Sequence, residues 1–163
     1  MRRSHLVVVL LLFATSNAEP TPTRADKILV LKKDHVLRLL KDGKPFKEYK
    51  VALGPHVAGA KTQQGDGKTP EGHYIIDSRN AQSQYHRSLH ISYPNAQDAA
   101  NAKARHVNPG GDVFIHGLPP KYAFVGAAHR AHDWTLGCIA VTDAEIEEIW
   151  KLVPNGTPIE IRP

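Results

Sequence analysis

The sequence predicts a mainly β domain, a β-sandwich with a few short helices. Three observations predict it. The apolar runs are short and are separated by turn signals such as Asp42-Gly43, Pro94-Asn95 and Pro109-Gly110-Gly111. Only one stretch, Asp143–Leu152, repeats apolar residues at helical spacing behind a clear start signal. Beyond the N-terminus no apolar run approaches the length that crosses a bilayer.

With 163 residues the chain is the size of one domain. Its first segment reads as a targeting signal. Arg2 and Arg3 precede the apolar run Leu6–Ala14, and Ser16-Asn17-Ala18 supplies small residues for a cut after Ala18. Residues 1–18 are therefore expected to be a signal peptide. Residues 19–26 are expected to be a flexible Pro/Thr-rich leader, and residues 27–163 the folded domain. Export to the periplasm or cell wall follows. A single cysteine, Cys138, excludes an internal disulfide. The formal net charge of +5 suits contact with an anionic polymer. Arginine-rich, aromatic-interleaved tracts are lacking, so no nucleic-acid partner is expected. The mature chain is expected to be a monomer without a membrane span.

The elements follow in order. Ile28–Leu31, Val36–Leu40 and Phe46–Val51 read as a three-strand meander, with Lys32-Lys33-Asp34 and Asp42-Gly43 as its turns. Gly54–Gly72 is rich in glycine and has no apolar period; it reads as a loop beside a site. His73–Asp77 and Ser88–Tyr93 are strands, and Asp98–Arg105 is a short Ala-rich helix. Asp112–His116 is a buried strand ending in histidine, and Lys121–Trp134 is a loop with one helical turn. Ile139–Val141 is a brief strand. Thr142 and Glu145 form a capping box for the helix Asp143–Leu152, and Pro158–Ile161 is a closing strand.

The chemistry gathers around Cys138. A thiol needs a base, and a histidine within reach can take its proton and return it to a leaving amine. Gly137 clears space beside the sulfur, and amides of a Gly-Cys turn suit a developing oxyanion. Taken alone, Cys138 and the strand-end His116 are equally compatible with a packed thiol and a core histidine.

Order and local context shift that balance. Ile115-His116-Gly117, Thr135-Leu136-Gly137-Cys138-Ile139 and the upstream "YKVALG" and "GDGKTPEGHYII" occur in one order. In these motifs the chain resembles the L,D-transpeptidase catalytic-domain family of cell-wall enzymes, from about Lys27 to Ile161. The resemblance implies an L,D-transpeptidase-type β-sandwich that acts on peptidoglycan stem peptides. It implies Cys138 as nucleophile and His116 as proton donor and acceptor. Gly117 would orient the imidazole through its carbonyl, and Gly137 would offer an oxyanion amide. Thr135, Trp134 and Tyr93 are expected to bind substrate, with His90 and Lys68 as further groove candidates. No metal or organic cofactor is implied. Leu136 and Ala140 stand where the family often has histidine and arginine, and the interval between His116 and Cys138 is longer than usual, which marks a divergent branch.

Two other classes fit parts of the sequence. Asp112, His116, His129 and His132 contain a His-x-x-His pair that suits zinc, without the helical HExxH setting. A non-catalytic wall-binding module would keep the fold and lose turnover. Water in place of an amine as acceptor would make the same pair a carboxypeptidase or an amidase.

Overall fold

A computed structural model describes residues 23–163. The expected signal peptide and the start of the leader lie outside the described residues. The end of the leader is fixed to the domain: Ala25 is buried, and its N–H donates to Leu152 O at 2.9 Å.

Eight strands and two α-helices follow. The strands are β1 (Lys27–Leu31), β2 (Val36–Lys41), β3 (Lys44–Lys50), β4 (Gly72–Ser83), β5 (His86–Ile91), β6 (Val113–His116), β7 (Ile139–Ala140) and β8 (Pro158–Arg162). The helices are α1 (Ala96–Ala104) and α2 (Asp143–Leu152), and Pro120–Ala131 is a 3₁₀ segment kinked at Gly126. The strand order is β3-β2-β1-β8-β4-β5-β6-β7. Pairs β1/β8 and β6/β7 are parallel, and the remaining pairs are antiparallel.

The architecture is the expected β-rich one, realised as a single bent sheet. β4 belongs to both halves: Gly72–Ile75 pairs with β8, and Ile76–Ser83 pairs with β5 across register shifts. Such bulges bend and twist a strand. The two ends of the sheet then meet, where Ala52 and Ala140 exchange N–H···O bonds of 3.0 and 2.9 Å. Ile28, Val30, Leu37 and Leu39 from one half and Ile76, Leu89, Ile91 and Ile115 from the other fill one core, which Ile146 and Ile149 of α2 join.

Both helices start where side-chain oxygens satisfy the first free N–H groups. Thr142 and Glu145 cap α2 reciprocally, as expected. Asn95 and Asp98 cap α1 in the same way, so α1 begins before the expected Asp98.

Two features depart from the sequence expectation. β4 runs well beyond Asp77, because Ser78–Ser83 is a polar, solvent-exposed arm without an apolar period to reveal it. This arm and β5 form a hairpin whose tip carries Tyr85. Lys32 was expected in a polar turn, yet it is fully buried. Its ammonium donates to Gly59 O (2.8 Å), Thr69 O (3.0 Å) and Glu71 Oε1 (2.8 Å), tying the Gly54–Gly72 loop to the end of β1. All three donors of the ammonium are used, which is how a buried lysine is accommodated. Lys32→Met should leave a carboxylate and two carbonyls without their cation and cost about 3–5 kcal/mol. Urea unfolding of the two proteins measures this; a loss under 1 kcal/mol would contradict it.

Candidate active site

β6 and β7 create the site. They run in parallel with Ile115 opposite Ile139 and His116 opposite Ala140. Cys138 precedes β7 and so lies beside Phe114. By the two-residue period of strands, Phe114, His116 and Cys138 share a face. Ser88 of β5 stands opposite His116 on the other side. All four side chains line one cavity of about 480 Å³, together with Tyr85, Asp112, Trp134, Thr135, Leu136 and the Asn80–Gln84 arm.

His116 is 2% exposed. Its Nδ1 lies 2.7 Å from Gly117 O. A carbonyl only accepts, so Nδ1 carries the hydrogen and Nε2 keeps the lone pair. Gly117 itself must be glycine: a Cβ there would stand 2.6 Å from Asp143 Oδ1, which accepts the Leu118 N–H at 2.8 Å. Tyr85 packs over the imidazole with ring centroids 4.3 Å apart, and Trp134 meets its edge at 5.8 Å. Burial pushes the imidazole pKa down to about 4, against the pull of Gly117 O. The neutral ring is therefore the form present at pH 7.

This has a consequence for stability. An unfolded His116 titrates near 6.5 and the folded one near 4. Between those values the unfolded chain binds more protons, so the contribution of His116 is whole above about 6.5 and declines as pH falls toward 4. The expected loss is about 2 kcal/mol between pH 7.5 and 5. Urea unfolding at both pH values should show it, and His116→Gln should reduce the difference by that amount. An unchanged difference would refute the assignment.

Cys138 is half-buried, and its Sγ lies 3.6 Å from Asp112 O, to which the thiol donates. Burial pushes the thiol pKa up; the Phe114 N–H and the Lys61 ammonium pull it down, and Asp112 raises it. The resting pair is thus a neutral thiol and a neutral imidazole, poised on one wall without a hydrogen bond between them. Apo sites are often loose in this sense and tighten with substrate.

Thr135 orders the turn that carries Cys138. Its hydroxyl donates to Cys138 O (2.7 Å) and accepts the Gly137 N–H (3.2 Å). The Gly137 amide, expected from the sequence as an oxyanion donor, thus donates to Thr135 in this structure. Gly137 serves for shape instead: its φ is +127°, and a Cβ would lie 2.5 Å from Lys68 O.

Trp134 lines the cavity, and its indole N–H donates to His129 Nδ1 at 3.3 Å. Together with Tyr85 it separates the Cys138 cavity from a second one of about 420 Å³, lined by Leu118, Pro119, Tyr122, Val125 and His129. Tyr93 is not in the cavity. It is 3% exposed, stacks edge-on against Tyr74 and donates to Pro109 O at 3.0 Å, so its apolar ring serves the core. His90 pairs with Asp77 at 2.6 Å, and neither His90 nor Lys68 reaches the cavity wall. Among the described residues no group of three or more His, Cys, Asp or Glu side chains is placed to hold a metal; His129 turns to Trp134 and His132 is exposed.

Sequence reasoning missed Tyr85, Ser88 and Phe114. The alternation in Asp112–His116 already put Phe114 on the face of His116. Tyr85 needed the hairpin, which left no periodic trace.

The family model for the L,D-transpeptidase catalytic domain, YkuD, matches residues 25–161. The chain belongs to this family. YafK of Escherichia coli (strain K12), whose assignment as an L,D-transpeptidase is provisional, is 29% identical over 135 residues, covering 79% of this chain and 47% of YafK. The solved structure of Pgp2, a helical cell shape determining protein from Campylobacter jejuni, is similar with a TM-score of 0.64 and 27% identity, covering 83% of this chain and 46% of that one. An L,D-transpeptidase from Xylanimonas cellulosilytica shares the fold, with a TM-score of 0.54 and 15% identity over 89% of this chain and 65% of that one. The chain spans about half the length of YafK and Pgp2. Ala140, one of the two departures from the family pattern, is fully buried at the Ala52 seam. Leu136, the other, is 83% exposed at the cavity mouth.

Proposed function

We propose that this chain is an exported L,D-transpeptidase-type enzyme acting on peptidoglycan stem peptides. Cys138 attacks the carbonyl that precedes a terminal D-residue. His116 Nε2 takes the thiol proton and gives it to the departing D-amino acid, leaving a thioester. An amine of a second stem peptide then resolves the thioester into a new cross-link, with the same imidazole moving the proton. The oxyanion falls to the Cys138 amide, since the Gly137 amide is bonded to Thr135. Trp134 and Tyr85 form the groove wall on which the donor peptide lies.

The observation that carries this reading is the His116 tautomer. The 2.7 Å contact with Gly117 O fixes the Nε2 lone pair as the free one, on the wall that also holds Cys138. That tautomer is what a thiol base requires. Export rests on the Arg2–Ala18 pattern alone, and the substrate class on family membership.

The test is incubation of the mature protein with a purified tetrapeptide muropeptide, followed by mass spectrometry. Release of the terminal D-amino acid with a dimeric product supports transfer. Release without a dimer places water as the acceptor and makes the enzyme a carboxypeptidase. Binding to sacculi with no turnover of any muropeptide, with the thiol shown to be reduced, would overturn the reading in favour of a wall-binding module.

A further inference from the structure

Behind the nucleophile turn lies a buried ion pair that the mechanism above does not use. Lys61 is 6% exposed. Its ammonium donates to Asp66 Oδ1 at 3.0 Å and to Gln63 O at 3.1 Å. Asp66 in turn organises the loop: it accepts the N–H groups of Thr62 (2.8 Å), Gln63 (3.1 Å) and Lys68 (3.1 Å). The loop so formed touches the Gly137–Cys138 turn twice. Lys68 O lies 2.5 Å from where a Gly137 Cβ would be, and the Lys61 stem, at Cδ, lies 3.9 Å from that point.

A buried ammonium must be paired and hydrogen-bonded, and Asp66 and Gln63 O do this for Lys61. The stem that carries this cation packs beside Gly137, the residue that precedes the thiol. We propose that Lys61, held by Asp66, is a positioning residue for Cys138: its stem packs beside the Gly137–Cys138 turn and its ammonium favours negative charge on the sulfur. The other charged or titratable groups that act on the thiol are Asp112, whose carbonyl accepts its hydrogen, and His116 on the neighbouring strand. Asp112 opposes thiolate formation and neutral His116 receives the proton, which leaves Lys61 as the cation that stabilises the charged form. Burial of Asp66 works against its ionisation, yet the Thr62 N–H, the Lys61 ammonium and the other loop N–H groups hold its carboxyl down to about 2. The anion, and with it the anchor of Lys61, therefore persists across the working pH range.

The inference rests on Cys138 being the nucleophile, but its test reads the thiol and not turnover. Cys138 is the only cysteine, so the rate of iodoacetamide capture against pH reports this one group. Lys61→Met keeps the stem and removes the charge. It should move the alkylation profile to higher pH and slow capture at pH 7 by about tenfold. Lys61→Arg should restore most of the rate. An unchanged profile in folded Lys61→Met would overturn the proposal, whatever the muropeptide assay shows. If Lys61→Met does not fold, Lys61→Gln decides, because its amide keeps a donor toward Asp66 and Gln63 O without the charge. It should slow capture at pH 7 to a similar degree; an unchanged profile would overturn the proposal.

Discussion

Cys138→Ala should abolish turnover and leave the fold intact. The Cys138 sulfur lines a cavity and donates one long hydrogen bond, to Asp112 O at 3.6 Å, so its loss enlarges that cavity rather than opening a void in the packed interior. Stability should change by less than about 1 kcal/mol. The rate should fall by a factor on the order of 10⁴ to 10⁶, because a missing nucleophile has no substitute in this wall. His116→Ala should behave differently. The thiol remains and is still captured by iodoacetamide, while turnover drops by about 10² to 10⁴, the usual worth of a positioned base. The pH profile separates the two roles. Because burial holds the His116 pKa near 4, kcat/KM of the free enzyme should persist to unusually acid pH, with its acid limb close to that value. An acid limb near 6.5 would mean that the imidazole is solvated in the working enzyme and that Tyr85 does not cover it. Measurable muropeptide turnover by Cys138→Ala would remove the thioester from the mechanism.

The parts of the fold that were legible in the sequence are those whose side chains alternate or repeat. β1 buries alternate residues and α2 buries one face, so their periods match their places in the core, while β2, β3 and β6 were marked by short apolar runs between turn signals. Family motifs supplied the pairing of His116 with Cys138, and the parallel register of β6 and β7 supplies its reason, since it puts both on one face. What stayed hidden depends on tertiary contact. The Ser78–Ser83 arm is polar because it projects into solvent, so nothing in its composition distinguishes it from a loop, and Tyr85 at its tip was lost with it. Lys32 read as part of a polar turn and nothing in the sequence marked Lys61 as buried; only their carbonyl and carboxylate partners, distant in the chain for Lys32 and local for Lys61, allow them inside. Tyr93 was expected in the groove, whereas its hydroxyl donates to Pro109 O and its ring packs in the core. The Gly137 amide read as a free donor until the Thr135 hydroxyl was located beside it.

The largest stability effect of a single methyl group is expected at Gly54. This residue ends the segment after β3, just where the Gly54–Gly72 loop folds back on the nucleophile turn. A Cβ at Gly54 would stand 2.2 Å from Gly67 O, 2.8 Å from Gly67 C and 3.3 Å from Gly137 N. The first two are backbone atoms, and Gly67 O also accepts the His56 N–H at 3.2 Å, so no rotamer change relieves the clash. Either the loop lifts off the turn or the Gly54 backbone retreats from it. Overpacking of this kind costs about 1–3 kcal/mol in an interior that can adjust its side chains, and a clash confined to backbone belongs at or above the top of that range. Gly54→Ala should therefore lose roughly 3 kcal/mol or more, a fall in Tm of about ten degrees for a domain of this size. Gly111→Ala is the matched control, because no atom lies within 4 Å of its Cβ position, and it should stay within about 0.5 kcal/mol of the parent. The two outcomes also differ at the thiol. Displacing Gly67 and Gly137 disturbs the backbone that carries Cys138, so Gly54→Ala, assayed at a temperature where it is folded, should lose activity as well as stability. If it keeps full turnover, then the close stack of Gly54, Gly67 and Gly137 holds the loop in place without holding the nucleophile.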